Sequence, residues 1–330
     1  MFNEFEVRPI PLSLRSCREE AAAFLARFGL RLDSVDYYAG VYDGDALLCA
    51  GGYEGAVIKC VAADPEARGL GLTNTLVSHL RARMWAEGVR NIFVFTKPQN
   101  RDIFESLAFT LIGSAPAAIL LESDGRGVRR FCEELGESRR PGRSAAIVMN
   151  ANPFTLGHRY LCETAAQCCD TLHLFVVESE RSRFPFAARR ALVEAGTADL
   201  PNVAVHSGGP YIISAATFPS YFLKQASDAA ETHALLDADV FARHIAPALG
   251  VTARFVGTEP LDPMTAAYNA ALRRVLPPAG VAVEVVERRA EDGAPVSASR
   301  VRALWEENRL EELRPLVPDS TFAYLREHRP

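Results

Sequence analysis

Residues 145–161 read AAIVMNANPFTLGHRYL. The run through Asn150 is short, apolar and bounded by turn residues, the pattern of a buried strand. Asn152-Pro153 interrupts it, and the following residues, 158–167, have the composition of a helix. Thr155, Gly157 and His158 thus stand where a strand hands over to a helix. The first amides of a helix lack internal partners and carry partial positive charge, which favours an anion there. Gly157 leaves room for a phosphate, and His158 can donate to its oxygens. Thr155 would also serve simply as a helix cap, so the spacing alone leaves both readings open.

Outward from this stretch the alternation continues. TLHLFVVE (171–178), NVAVHS (202–207), ARFVGTE (253–259) and VAVEVVER (281–288) read as strands, with helices between them, one over 186–198. Such alternation predicts a doubly wound parallel sheet, whose ligands sit beyond the carboxyl ends of its strands. Far along the chain, PVSASRVR (295–302) opens another helix. Ser297 or Ser299 can cap it. Ser299 and Arg302 share one helical face, so Arg302 would aim a forked donor at an anion touching Ser299.

The N-terminal half has a different rhythm. YYAGVYDGDALLCAGGY (37–53) reads as a hairpin about Asp43-Gly44-Asp45, and AVIKCVAADP (56–65) as a third strand. A helix is expected over 71–87, with Leu72, Leu76, Leu80 and Met84 on one face. NIFVFT (91–96) is a further strand, and 101–113 a short helix and a last strand. These predict an antiparallel sheet flanked by helices, an α+β domain over 1–122. Residues 123–143 read as a charged linker with one short helical turn, and 144–330 as the second domain. In the turn before the 71–87 helix, Gly69 and Gly71 lack β-carbons, which suits either a plain turn or a pyrophosphate cradle.

Composition narrows the function classes. The chain has 330 residues, 48% hydrophobic and 23% charged, with a formal charge of −5. It is an ordinary globular composition with no general attraction for nucleic acid or anionic membrane. No apolar run approaches the roughly 20 residues of a membrane span. The seven cysteines are odd in number and contain no CxxC, which argues for reduced thiols, a cytoplasmic setting and no metal-ligand cluster. His79 is the only histidine of the first half and falls in mid-helix, where a surface position is expected.

Three resemblances follow from these residues. Arg68–Thr73 after Asp64-Pro65, with Thr96, Phe104, Leu107 and Phe109 beyond, resembles GNAT-type acetyltransferase domains over residues 5–122. Thr73 stands where that family prefers Gly or Ala. The resemblance implies a groove at Arg68, Gly69, Gly71 and Thr73 for the pyrophosphate and pantetheine arm of coenzyme A. T-x-G-H at Thr155–His158, paired with S-x-S-x-V-R at Ser297–Arg302, is similar to the nucleotidylyltransferase superfamily over 144–310, which is Rossmann-like without GxGxxG. That likeness implies ATP between the two motifs, with Thr155 and His158 near the α- and β-phosphates and Ser299 and Arg302 near the β- and γ-phosphates. It further implies nucleotide contacts at Asn150, Asn152, Phe154, Gly157, Gly257, Thr258, Glu259 and Ser297. Arg183 and Arg189, flanking the 184–186 FPF, fall where relatives bind an anionic second substrate, with a solvated face as an equal alternative.

Across nearly its whole length the chain resembles the citrate lyase ligase family, through IVMNANPFTLGHRYL, SRFPF (182–186), YIISAATFPSYF (211–222), APALGVTARFVGTEP (246–260) and PVSASRVR. The resemblance implies activation of acetate with ATP and Mg²⁺. The acetyl group would pass to the thiol of the phosphoribosyl-dephospho-coenzyme A group on the citrate lyase acyl carrier subunit, releasing AMP and diphosphate. A bifunctional nucleotidyltransferase and acetyl-CoA-dependent acetyltransferase acting on a small molecule is the alternative, and a non-enzymatic nucleotide-sensing module a third reading.

Overall fold

The computed structural model describes residues 5–329 apart from 68, 179–181, 213–217, 220, 224–225, 259–262 and 292. The chain is α/β and divides into two compact units. The first comprises Met1–Val128 and Pro219–Thr232, the second Arg129–Phe218 and His233–Pro330. A stretch expected in the second domain, 219–232, therefore groups with the first. Its contacts are made by tertiary packing, which strand and helix patterning cannot register.

In the first unit, in chain order, lie β1 (Glu6–Pro9), α1 (Arg15–Ala26), β2 (Tyr37–Asp43), β3 (Ala46–Glu54), β4 (Val57–Ala63), α2 (Leu72–Ala86), β5 (Phe93–Thr96), α3 (Arg101–Ser106), β6 (Thr110–Ser114) and β7 (Ile119–Glu122). The sheet order is β1-β2-β3-β4-β5-β7-β6. It is antiparallel except at β4 and β5, which run parallel because α2 carries the chain across. That pair corrects the expectation of a wholly antiparallel sheet. The apolar face of α2, Leu72, Leu76, Val77, Leu80 and Met84, is buried against the sheet with Tyr53, Ile58 and Val94. His79 is half-buried and shares a 2.9 Å hydrogen bond with the Tyr37 hydroxyl. The helical turn expected in the linker about Val128 to Leu135 is a ten-residue helix, α4 (Gly127–Gly136).

The second unit runs β8 (Ser144–Met149), α5 (Leu156–Ala166), β9 (Thr171–Val176), α6 (Phe186–Thr197), β10 (Val203–Ser207), α7 (Ala226–Val240, which begins in the first unit), α8 (Ala246–Leu249), β11 (Val251–Gly257), α9 (Pro263–Val275), β12 (Ala282–Val286), α10 (Ala298–Glu306) and α11 (Asp319–Glu327). The five strands of its main sheet are all parallel, in the order β10-β9-β8-β11-β12, and a small antiparallel ribbon, Ala290–Glu291 with Ala294–Pro295, precedes α10. Every residue of β9 is buried, as expected of a strand covered on both faces. From β8 the chain winds outward to β10, then returns to β11 on the opposite side of β8. The order reverses there, and the carboxyl ends of β8 and β11 flank the crevice where such sheets bind ligands. Among the described residues no helix is long and apolar enough to cross a membrane.

Candidate active site

A cavity of about 550 Å³ opens at that crevice. Its walls include Asn150 at the end of β8, Thr155, Gly157 and His158 at the start of α5, Gly257 at the end of β11, and Ser297 and Ser299 at the start of α10. Two helix N-termini, with N-caps at Thr155 and Ser297, therefore face one space. Each points a positive dipole end at it, worth about half an elementary charge, although the Leu156 amide of α5 is taken by the Leu316 carbonyl at 2.9 Å.

Local chemistry fixes the first of these. Thr155 is the N-cap of α5 and accepts from the His158 amide at 3.3 Å. The Thr155 N–H in turn donates to His158 Nδ1 at 3.0 Å, a reciprocal capping box in which histidine takes the usual glutamate position. Because Nδ1 accepts that bond, the proton of the neutral ring resides on Nε2. Burial, with the Arg288 charge adding to it, pushes the imidazole down to about 4. His158 is thus a neutral donor at pH 7, stacked on the fully buried Phe154 ring 5.7 Å away. At Gly157 a β-carbon would lie 2.8 Å from the Val296 carbonyl. The glycine is needed because the backbone preceding α10 passes that close.

The second N-terminus is tied to the first. Ser297 caps α10 by accepting from the Arg300 amide at 3.2 Å. Arg302 donates to the Asn152 carbonyl at 2.6 Å and to Ser299 Oγ at 3.1 Å. One guanidinium thereby bridges the T-x-G-H loop and the S-x-S-x-V-R helix. It clamps the two motifs together while its charge remains beside them.

Several expected contacts are placed otherwise. Arg189 is 0% exposed and donates to the carbonyls of Phe184, Asn150 and Val177 and to Asn150 Oδ1. It pins the β8 and β9 ends from within the core and does not await an anionic substrate. Arg183 is half-exposed, paired with Glu306 at 3.3 Å and lying 4.9 Å over the Trp305 ring. Both arginines have protein partners that only the folded chain supplies. Phe154 is core, supporting His158 from behind instead of touching a nucleotide. Asn152 spends its side chain on the Phe184 amide and its carbonyl on Arg302. Thr258 holds Arg288, accepting from its amide at 3.1 Å and from Nε at 2.7 Å. Arg68 and Glu259 lie outside the described residues.

The cavity also has walls that motif reading missed. Arg288, just beyond β12, lines it and lowers the His158 proton affinity. A charge beyond the carboxyl end of a parallel strand was the available signal. Thr265, Tyr268 and Asn269 present one face of α9, and Asn269 donates to the Gly257 carbonyl at 3.0 Å. Arg254, 1% exposed, donates to the Tyr268 hydroxyl at 2.7 Å and stacks 4.6 Å from the Phe241 ring. Among the described residues no group of three or more His, Cys, Asp or Glu side chains could hold a metal ion.

The first unit contains a separate cleft of about 640 Å³. Ladder pairing between β4 and β5 stops at Ile58↔Val94, and beyond it the strands splay, leaving β4 residues Val61–Ala63 and β5 residue Thr96 along the cleft walls. Gly69, Gly71 and Thr73 line one end. Gly71, at φ +69°, is the left-handed N-cap of α2, with open space where a β-carbon would stand. Phe28, Leu30, Tyr221 and Phe222 supply apolar wall.

Comparisons with known proteins show the family. Residues 144–325 match the family model described as the citrate lyase ligase C-terminal domain. The chain is 42% identical to the [citrate [pro-3S]-lyase] ligase of Escherichia coli (strain K12) over 93% of this chain and 89% of that one. It is 42% identical to the enzyme of the same name from Klebsiella pneumoniae, over 93% and 92%. Among solved structures, Thermotoga maritima TmcAL bound with alpha-thio ATP covers 56% of this chain and 55% of that one at 16% identity and a TM-score of 0.38, a likeness too loose to argue from. The chain belongs to the citrate lyase ligase family and is an enzyme of the ligase class.

Proposed function

We infer that the second unit binds ATP with its triphosphate between the N-termini of α5 and α10, and that acetate attacks the α-phosphorus. A carboxylic acid with pKa of roughly 4 is already ionised at neutral pH and needs no base. A carboxylate oxygen forms a bond to the α-phosphorus while the bond to the bridging oxygen breaks, and diphosphate leaves carrying that electron pair. The site's task is then positioning and charge stabilisation. His158 Nε2–H, the Ser299 hydroxyl and the Gly157, Ala298 and Ser299 amides donate to phosphate oxygens. The Thr155 hydroxyl, 2.9 Å from Nδ1, holds the His158 ring, and Arg288 and Arg302 add positive charge. Mg²⁺ would enter with the nucleotide, coordinated by phosphate oxygens and water, since the described residues offer no metal cage.

In the second half-reaction, a thiolate on the prosthetic group of the citrate lyase acyl carrier subunit attacks the acetyl carbon. The carbon–oxygen bond to AMP breaks, and the thiol's proton passes to solvent. The first unit's cleft would receive the pantetheine arm. Its splayed strand edges can meet the arm's amides as an added strand would, and the glycine turn can meet its phosphates. The observation that carries the reading is the convergence of Thr155, Gly157, His158, Ser297 and Ser299 on one cavity. The test is acetate-dependent exchange of labelled diphosphate into ATP in the absence of carrier. Exchange supports the adenylate route, whereas exchange requiring a phosphorylated small molecule instead of acetate supports the bifunctional alternative.

A further inference from the structure

The first unit's cleft is walled by residues 28–104 with two exceptions, Tyr221 and Phe222. These come from 219–232, which belongs to the first unit although second-unit sequence flanks it on both sides. Both side chains are buried, and their rings pack edge to face at 5.1 Å. The Tyr221 carbonyl accepts from the Arg31 amide at 3.1 Å. The Tyr221 hydroxyl faces the backbone of Cys60, a residue of β4 at φ +56° where the β3–β4 register slips. Burial raises the phenol's pKa, so it stays neutral. The segment is thus anchored to β4 and to the chain after α1, and its aromatic pair joins Phe28 and Leu30 at the cleft wall.

Resting on the reading that this cleft takes a pantetheine arm, we propose that Tyr221 and Phe222 form an apolar wall that packs the alkyl and thiol part of that arm and so help to set what the first unit accepts. An arm of alkyl and amide segments ending in a weakly polar thiol suits rings that bring no charge. Asp64, the carboxylate on the cleft wall, is already paired with Arg27 at 2.6 Å, so a charged amine desolvated against these rings would lose its hydration at considerable cost. The cleft so walled favours a thiol-ended chain over an amine acceptor.

The probe is dephospho-coenzyme A, titrated into the full chain with a non-hydrolysable ATP analogue saturating the second unit. The wild type should bind, Phe222→Ala should bind at least tenfold more weakly, and Phe222→Leu should recover most of the loss. With dephospho-coenzyme A as acetyl acceptor, Phe222→Ala should raise KM by a similar factor and leave kcat and acetate-dependent diphosphate exchange unchanged, a split that general unfolding would not give. Tyr221→Phe, which removes only the anchoring hydroxyl, should weaken binding several-fold with exchange intact. Wild-type binding matched by Phe222→Ala would overturn the wall while leaving the cleft assignment standing. Absence of wild-type binding would overturn the cleft assignment itself.

Discussion

The cavity of the second unit and the cleft of the first are close in size, about 550 and 640 Å³, yet they are made by different means. In the second unit two capped helices point their N-termini at one space, with a neutral imidazole and Arg288 lining it and Arg302 tying the two helix starts together. In the first, two parallel strands separate after one short stretch of pairing, and the gap is lined by glycines at one end, by apolar side chains such as Phe28 and Phe222, and by polar ones such as Asp64, Lys97 and Asn100. The first construction concentrates donors and positive potential, which suits a compact polyanion. The second exposes strand edges and apolar wall, which suits an extended chain. The contrast supports assigning activation to one unit and the arm to the other, and it can be broken by variants that should affect one unit and spare its neighbour.

The largest effect is expected at His158. His158→Ala removes a preorganised donor and should lower acetate-dependent exchange by about 10²–10³-fold. Dephospho-coenzyme A binding, followed by calorimetry with the second unit saturated, should be unchanged. Gly157→Ala comes next. Its methyl would press the Val296 carbonyl, and overpacking of this kind costs roughly 1–3 kcal/mol. Thermal denaturation should show the loss, and KM for ATP should rise as the two helix ends are pushed apart. Gly71→Val is the counterpart in the first unit. A β-branched residue at positive φ costs roughly 1–2 kcal/mol, and carrier acetylation should fall while exchange is preserved. Equal loss of both activities would remove the division of labour.

A smaller and more graded difference should appear with pH. Burial pushes His158, His173 and His206, all in the second unit, down to about 4. His173 and His206 also share a 3.0 Å hydrogen bond. Unfolded histidine takes up its proton near 6.5, so below that pH the unfolded chain binds protons that the native chain refuses. Stability contributed by these groups is complete above pH 6.5 and is lost as the pH falls towards 4. In the first unit only His79 is shifted the same way. Hydrogen exchange at pH 7 and pH 5 should therefore show the second unit losing protection more than the first.

The sequence disclosed the parts of the site that reside in local chemistry. Thr155, Gly157 and His158 follow a strand and open a helix, and Ser297 and Ser299 do the same far away, so each announces a helix N-terminus by spacing alone. The parallel sheet was legible from alternation, and the 71–87 helix from its leucine face. What was not legible depends on which neighbour a side chain finds. Neither reading offered for Arg189, an anion ligand or a solvated face, includes its burial, because an arginine buried among carbonyls leaves no local signature. Phe154 belongs to a motif yet packs inward. Thr265, Tyr268 and Asn269 form a cavity wall only because α9 lies beside β11. The cleft role of Tyr221 and Phe222 arises from a segment that crosses between units, and no periodicity encodes that.

The central claim is that α5 and α10 grip one triphosphate. A crystal structure of the chain with acetate and an ATP analogue that cannot be cleaved between the α- and β-phosphates tests it most directly. The account predicts phosphate oxygens within hydrogen-bonding distance of both His158 Nε2 and the Ser299 hydroxyl, with the acetate carboxylate facing the α-phosphorus on the side away from diphosphate. A triphosphate bound at one helix end alone, with the other turned to solvent, would contradict it.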